Sequence, residues 1–107
     1  MRPATFTLRL TRSVSQFLLP DLRALLPAES VQFFSNELDE EWHYTLLCAQ
    51  GDNTCSLAAS AILVWQQLKR IRSMRYSSLQ QQRDLSGATS TELYSLLQAP
   101  EAVLYLS

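Results

Sequence analysis

The sequence has few of the residues that most active sites require. Its 107 residues include two glycines and one histidine. A phosphate-binding loop needs clustered glycines, because backbone N–H groups must approach the anion closely, and Gly51 and Gly87 lie far apart in the chain. The sequence therefore excludes a P-loop and a dinucleotide-binding fingerprint, and it predicts no cofactor.

Long apolar runs are also missing. The longest, residues 57–65 with Ser60 inside it, is about half of the roughly 20 residues that a helix needs to cross a bilayer. The first ten residues alternate polar and apolar side chains and lack the continuous apolar segment of a secretory signal. We therefore expect a cytoplasmic protein that does not bind a membrane.

An excess of one charge is absent as well. Nine lysine and arginine residues stand against ten acidic residues, a formal net charge of -1. This balance gives no overall electrostatic basis for coating nucleic acid or an anionic membrane. With 47% hydrophobic residues, the chain can build one packed core but not two. We expect a single domain over residues 1–107.

The two cysteines, Cys48 and Cys55, flank a turn that contains Gly51. In a cytoplasmic protein both should be reduced and buried, whereas an oxidising compartment would allow a disulfide that closes the turn. A zinc site made of these cysteines and His43 would lack the paired spacings that mark zinc ligands. The sequence therefore predicts no metal site.

Alternation of polar and apolar residues predicts strands in the first half of the chain. Residues 5–10 place Phe6, Leu8 and Leu10 on one face, as in a half-buried strand. Residues 31–34 are short and β-prone, and residues 42–48 alternate with Trp42 and Tyr44 on the same face. The latter two segments should form a hairpin.

Helical periodicity predicts three helices. Residues 13–26 form the first, with Pro20 either opening or kinking it. Residues 56–72 form the second, capped by Asn53 or Thr54, with an apolar stripe that includes Val64, Leu68 and Ile71. The third covers residues 90–98, because Thr89 and Glu92 have the spacing of a capping box.

The last third of the chain is harder to interpret. Residues 76–85 are polar and rich in glutamine, and they either continue the helix or belong to a mobile connector over residues 73–89. Residues 102–106 are β-prone and predict a last strand. The order β-α-β-β-α suits an α+β fold of the ferredoxin-like, split β-α-β kind, with helices on one face of a small antiparallel sheet. An all-helical bundle is the main alternative.

A sheet covered on one side leaves its other face free for a partner. We expect a non-enzymatic protein-binding module, an adaptor, regulator or inhibitor of a larger protein. Five of the nine basic residues lie in residues 69–83 without an acid between them, and an acidic loop precedes the second hairpin strand. The predicted partner-binding residues are Lys69, Arg70, Arg72, Arg75, Tyr76, Glu37, Asp39, Glu40, Glu41 and Trp42. A homodimer that joins the acidic loop to the basic segment is one arrangement of these charges.

The alternative function is a nucleic-acid-binding or nuclease-like domain. It would use the basic segment 69–83, and His43 beside Glu40 and Glu41 would be its general base. On an alternating strand, however, His43 should point to solvent or to the exposed sheet face, so no catalytic residue is predicted. A structural subunit of a large assembly is a third interpretation.

Overall fold

The computed structural model describes residues 4–36 and 38–107. The elements follow one another as β1 (Thr5–Leu10), α1 (Arg12–Leu25), a short 3-10 turn (Ala28–Ser30), β2 (Val31–Ser35), β3 (Tyr44–Ala49), α2 (Asp52–Gln67), β4 (Met74–Ser77), β5 (Gln82–Asp84), α3 (Ser90–Leu97) and β6 (Val103–Leu106). The predicted α+β class is confirmed, and the all-helical alternative is wrong.

The described strands form one mixed sheet in the order β2-β3-β1-β6-β4-β5. β1 and β6 are parallel, and the other neighbours are antiparallel. The sheet therefore has more strands than the small antiparallel sheet that the sequence predicts.

The ferredoxin-like order is not confirmed for the whole chain. In the first half, β3 lies between β1 and β2, as a split β-α-β unit requires. The strand that follows α2, however, does not pair with β1. The C-terminal β6 takes that place, with Leu104 opposite Leu8 of β1 and Tyr76 of β4. The strand order departs from the prediction because the last four-residue strand inserts into the middle of the sheet.

One face of the sheet forms the core. The central strands bury their side chains on this face, and these residues share a single apolar cluster with the helices. α2 contacts both α1 and α3. The ring of Phe17 in α1 lies 4.7 Å from that of Trp65 in α2, and the Trp65 indole N–H donates to the Asp21 carboxylate. The predicted helix layer on one face is thus present in the described structure.

Pro20 lies inside α1 and does not open it. The helix begins at Arg12, where the Thr11 hydroxyl accepts a 3.4 Å hydrogen bond from the backbone N–H of Val14. Pro20 is exposed, and the chain leaves the helix at Leu26, directly before Pro27.

The boundaries and buried face of α2 differ from the prediction. Gly51 is its N-cap residue, without a side-chain cap, and the helix ends at Gln67. Lys69 adopts a positive φ of 60°, which ends the helical path, and Ile71 enters the core from outside the helix. The buried face contains Cys55, Ala58, Ala59 and Ile62.

The predicted apolar stripe of α2 is therefore partly wrong. Val64 is 52% exposed and Leu68 is 60% exposed. Most of the α2 residues that are buried instead are small, and small side chains allow a helix to pack closely against its neighbours, here α1 and α3.

Residues 74–84 form neither a helix nor an irregular connector. β4 and β5 pair as an antiparallel hairpin. Met74 and Tyr76 alternate with Arg75 and Ser77, so one side of β4 enters the core. The Tyr76 hydroxyl donates a 2.7 Å hydrogen bond to the carbonyl oxygen of Leu96. Only two apolar residues alternate in this strand, so the pattern is too short to predict a strand within a polar segment.

One half of the capping box predicted for α3 is present among the described residues, whereas the Glu92 carboxylate accepts a 3.4 Å hydrogen bond from the Thr89 hydroxyl and not from the Thr89 backbone N–H. The Thr89 hydroxyl accepts a 3.2 Å hydrogen bond from the backbone N–H of Glu92. Replacing Thr89 with alanine should lower the free energy of unfolding by about 0.5 to 2 kcal/mol, because the N–H loses its acceptor. Urea denaturation would measure this loss. Thr89→Ser keeps the hydroxyl and should retain most of the stability, and an equal loss in both variants would contradict the capping role.

Candidate binding surface

The face of the sheet opposite the helices is only partly covered. We call it the open face. Two rows of side chains cross it, one residue from each strand, and in every row the strand neighbours are paired in register. The first row is Phe34, Thr45, Arg9, Tyr105, Arg75 and Asp84, and the second is Gln32, Leu47, Thr7, Val103, Ser77 and Gln82. All twelve are half-buried or exposed.

Part of the open face is covered by the connection between β2 and β3. The Asp39 carboxylate accepts hydrogen bonds from the backbone N–H groups of Glu41 at 3.0 Å and Trp42 at 2.8 Å. It also forms an ion pair with Arg9, with 3.4 Å between Nη2 and Oδ2. Asp39 thus fixes the loop to the sheet and does not serve only as a solvated charge.

The loop brings Trp42 onto the open face. Its ring meets that of Tyr105 edge-on, with 5.1 Å between centroids and 65° between planes. The guanidinium of Arg9 lies 6.0 Å from the Tyr105 centroid, and Arg9 Nε is buried without a hydrogen-bond partner in the described residues. β3 begins at Tyr44, so Trp42 is not part of this strand. The predicted alternation, which puts Trp42 and Tyr44 on the same face of one strand, is therefore wrong.

Beside these rings runs a groove of about 400 Å³. It is lined by the two aromatic residues and by the outer strands, namely Trp42, Tyr105, Arg75, Tyr76, Ser77, Gln82, Arg83 and Asp84. Groove volumes in this range suit one or two side chains or a small molecule. The lining residues include two aromatic rings beside the groove, two arginines, a carboxylate, and the amide and hydroxyl groups of Gln82 and Ser77.

The pKa of Asp84 is below its ordinary value. The hydroxyl and backbone N–H of Ser86 both donate to Asp84 Oδ1, and the cross-strand cation of Arg75 contributes less. The carboxylate is therefore charged at neutral pH. The groove thus presents both a positive and a negative group at the same pair of strands, β4 and β5.

The basic segment does not form one surface. Lys69, Arg70 and Arg72 lie exposed in the connection between α2 and β4, and only Arg75 belongs to the open face. Arg83 pairs with Tyr76 on the helix side, and its guanidinium lies 3.8 Å from the Glu92 carboxylate. Tyr76 itself is 1% exposed but lies in the lining of the groove, so its role as a contact residue stays a prediction.

The acidic loop is also divided. Glu37 lies outside the described residues, Asp39 pairs with Arg9, and Glu40 and Glu41 are exposed. The structure therefore brings together three of the predicted partner-binding residues, Trp42, Arg75 and the largely buried Tyr76, in one groove. Tyr105, Arg9 and Gln82 were not predicted. Because side chains alternate along β6, Tyr105 lies on the other face of the sheet from Leu104. Only the position of β6 in the sheet shows which residues Tyr105 contacts.

His43 is not directed to solvent as predicted. It is 8% exposed, and its ring lies edge-on to that of Tyr44 at 4.6 Å. Its carbonyl oxygen accepts a 2.8 Å hydrogen bond from Asn36. In the described parts of the chain, no carboxylate hydrogen-bonds the imidazole. This arrangement does not support His43 as a general base.

The two cysteines lie in the core. Both are fully buried, and Cys48 is a free thiol. Burial raises the pKa of Cys48 to about 12, with a smaller contribution from Cys55. Within residues 4–36 and 38–107, no group of three or more histidine, cysteine or acidic residues could hold a metal ion. The predicted absence of a zinc site therefore remains an expectation about the whole chain.

No helix among the described residues is long and apolar enough to span a membrane. We compared the chain with models of protein families, with curated proteins and with solved structures, and none of the three comparisons produced a match.

Proposed function

We propose that this protein is a non-enzymatic binding module that engages a larger protein through the open face of its sheet. The observation that carries the proposal is the groove between Trp42, Tyr105 and Arg75. Aromatic and arginine side chains are the residues that most often dominate the energy of protein interfaces. Here they lie together on the face of the sheet opposite the described helices.

The rest of the open face supports the same role. Phe34 is 49% exposed, and Leu47 and Val103 are half-buried on this side of the sheet. Polar residues such as Thr7, Ser77 and Gln82 lie among them. A mixed surface of this composition is typical of interfaces that form and separate, in which an apolar centre is surrounded by polar groups.

Nucleic-acid binding has weaker support. Contacts to a phosphate backbone need several cations on one continuous surface, and the five basic residues of segment 69–83 are divided between a connection and the two faces of the sheet. A nuclease would in addition need an accessible base, whereas His43 is buried.

The proposal is tested by affinity capture from native cells followed by titration with the purified partner. Arg75→Glu and Trp42→Ala should each weaken binding about tenfold or more, because they remove an interface cation and an aromatic contact. Circular dichroism and thermal unfolding of each variant would show that the fold is retained.

Arg70→Glu is the matched control. It makes the same change of charge in the same basic segment, but Arg70 lies in the connection after α2. It should leave the affinity within about twofold. If Arg70→Glu weakened binding as much as Arg75→Glu, the groove on the open face would not be the binding surface.

A further inference from the structure

The two edges of the sheet are protected to different degrees. β5 is a three-residue edge strand that carries Arg83 and Asp84. β2 has five residues, Val-Gln-Phe-Phe-Ser, without a charge or a proline, and it pairs with β3 without a bulge. Short strands, charges, prolines and bulges are the features by which edge strands avoid pairing with another chain. β5 has two of these features, and β2 has none.

The register identifies the backbone groups that β2 leaves free. Asn36 donates a 2.8 Å hydrogen bond to the His43 carbonyl, so this pair is a hydrogen-bonded one. Hydrogen-bonded and non-hydrogen-bonded pairs alternate along an antiparallel ladder. The backbone N–H and C=O groups of Phe34 and Gln32 therefore form hydrogen bonds with β3. The N–H and C=O groups of Val31, Phe33 and Ser35 point to the outer edge.

Among the described residues, no acceptor is present for the outward N–H groups of Phe33 and Ser35. Beside them, the side chain of Phe34 is 49% exposed at the margin of the open face. A strand added at this edge would pair the outward backbone groups and cover this ring.

We propose that β2 pairs in antiparallel orientation with β2 of a second copy of this chain. A register centred on Phe33 uses all three outward positions, since Val31 then faces Ser35 of the second copy and Phe33 faces its equivalent. Phe34 lies opposite Gln32 of the second copy on the open face. The pairing places no like charges opposite each other, because both strands are uncharged.

The two-fold symmetry also fits the layers of the fold. An axis perpendicular to the sheet keeps the helices of both copies on one side and joins the two open faces on the other. The contact consists of one short strand pair and is smaller than the interfaces of stable complexes. We therefore expect a weak dimer that forms as the protein concentration rises.

Sedimentation velocity of the full chain over a concentration series up to roughly 1 mM tests this dimer. The wild type should shift from monomer to dimer. Ser35→Pro removes one outward N–H without removing a ladder bond to β3, and Phe34→Lys places a charge at the edge. Each should weaken the association about tenfold or more. Ser35→Ala, which keeps the N–H, should associate like the wild type.

Amide hydrogen exchange of the wild type gives a second readout that does not depend on variants. As the concentration rises, the Phe33 and Ser35 amides should exchange more slowly, whereas Gln32 and Phe34 are protected at every concentration. A wild type that stays monomeric, or a dimer that survives both Ser35→Pro and Phe34→Lys, would overturn the proposal. Protection of these amides only after a different protein is added would also overturn it, and would assign the edge to that protein.

Discussion

Replacing Leu104 with alanine should lower the free energy of unfolding by about 2 to 5 kcal/mol, the range for large-to-small changes in a packed core. Leu104 is fully buried in β6, between Leu8 of β1 and Tyr76 of β4. The substitution leaves a cavity where the two halves of the sheet meet. Urea denaturation followed by circular dichroism would measure the change.

Val103→Ala is the matched control for Leu104. Val103 lies on the adjacent position of the same strand, half-buried on the open face. Its loss of stability should be no more than about 1 kcal/mol, since little core packing is removed. If Leu104→Ala lowered the free energy of unfolding no more than Val103→Ala does, β6 would not be an interior strand with its Leu104 side in the core.

The stability of the protein should fall steeply in alkaline solution because of Cys48. The pKa of its thiol is about 12 in the folded protein and near 9.0 in the unfolded chain. Below pH 9.0 both states keep the proton, so the stabilisation is complete. As pH rises from 9.0 towards 12, only the unfolded chain releases it, and stability falls by roughly 1.4 kcal/mol per pH unit, about 4 kcal/mol in all.

Cys48→Ala should remove this part of the pH dependence. The variant starts from a lower stability because a small cavity replaces the sulfur, but its stability should decline less steeply above pH 9.0. Urea denaturation of both proteins over the same pH series separates this effect from every other alkaline effect, because the two proteins differ only at residue 48. Parallel curves for wild type and variant would show that Cys48 does not hold its proton in the folded state.

The strands and helices with strong periodicity could be predicted from the sequence. Phe6, Leu8 and Leu10 alternate over six residues, and this pattern gives β1 its buried side whatever its neighbours are. The cap at Thr89 is a local interaction between residues three apart, so it too can be predicted without the rest of the fold.

The position of each strand in the sheet could not be predicted in the same way. β6 has four residues, and nothing in Val-Leu-Tyr-Leu distinguishes a central strand from an edge strand. Its place between β1 and β4 depends on pairings with residues far away in the sequence. The same applies to β4, whose buried residues Met74 and Tyr76 are separated by a charged one.

The candidate site was predicted in part. Trp42 and Arg75 lie far apart in the sequence, and the loop that Asp39 holds brings Trp42 to the groove. Tyr105 completes the site only because β6 lies beside both β1 and β4. Clusters of charge along the sequence were a poor guide here, since one β-strand sends neighbouring side chains to opposite faces.

Hydroxyl-radical footprinting of the protein with and without its captured partner tests the binding surface most directly. We expect Trp42, Tyr105 and Leu47 on the open face to become protected, while the exposed Val64 of α2 and Leu68 directly after this helix react as before. Protection of Val64 and Leu68 with no change at Tyr105 would contradict it, because the partner would then bind the helices.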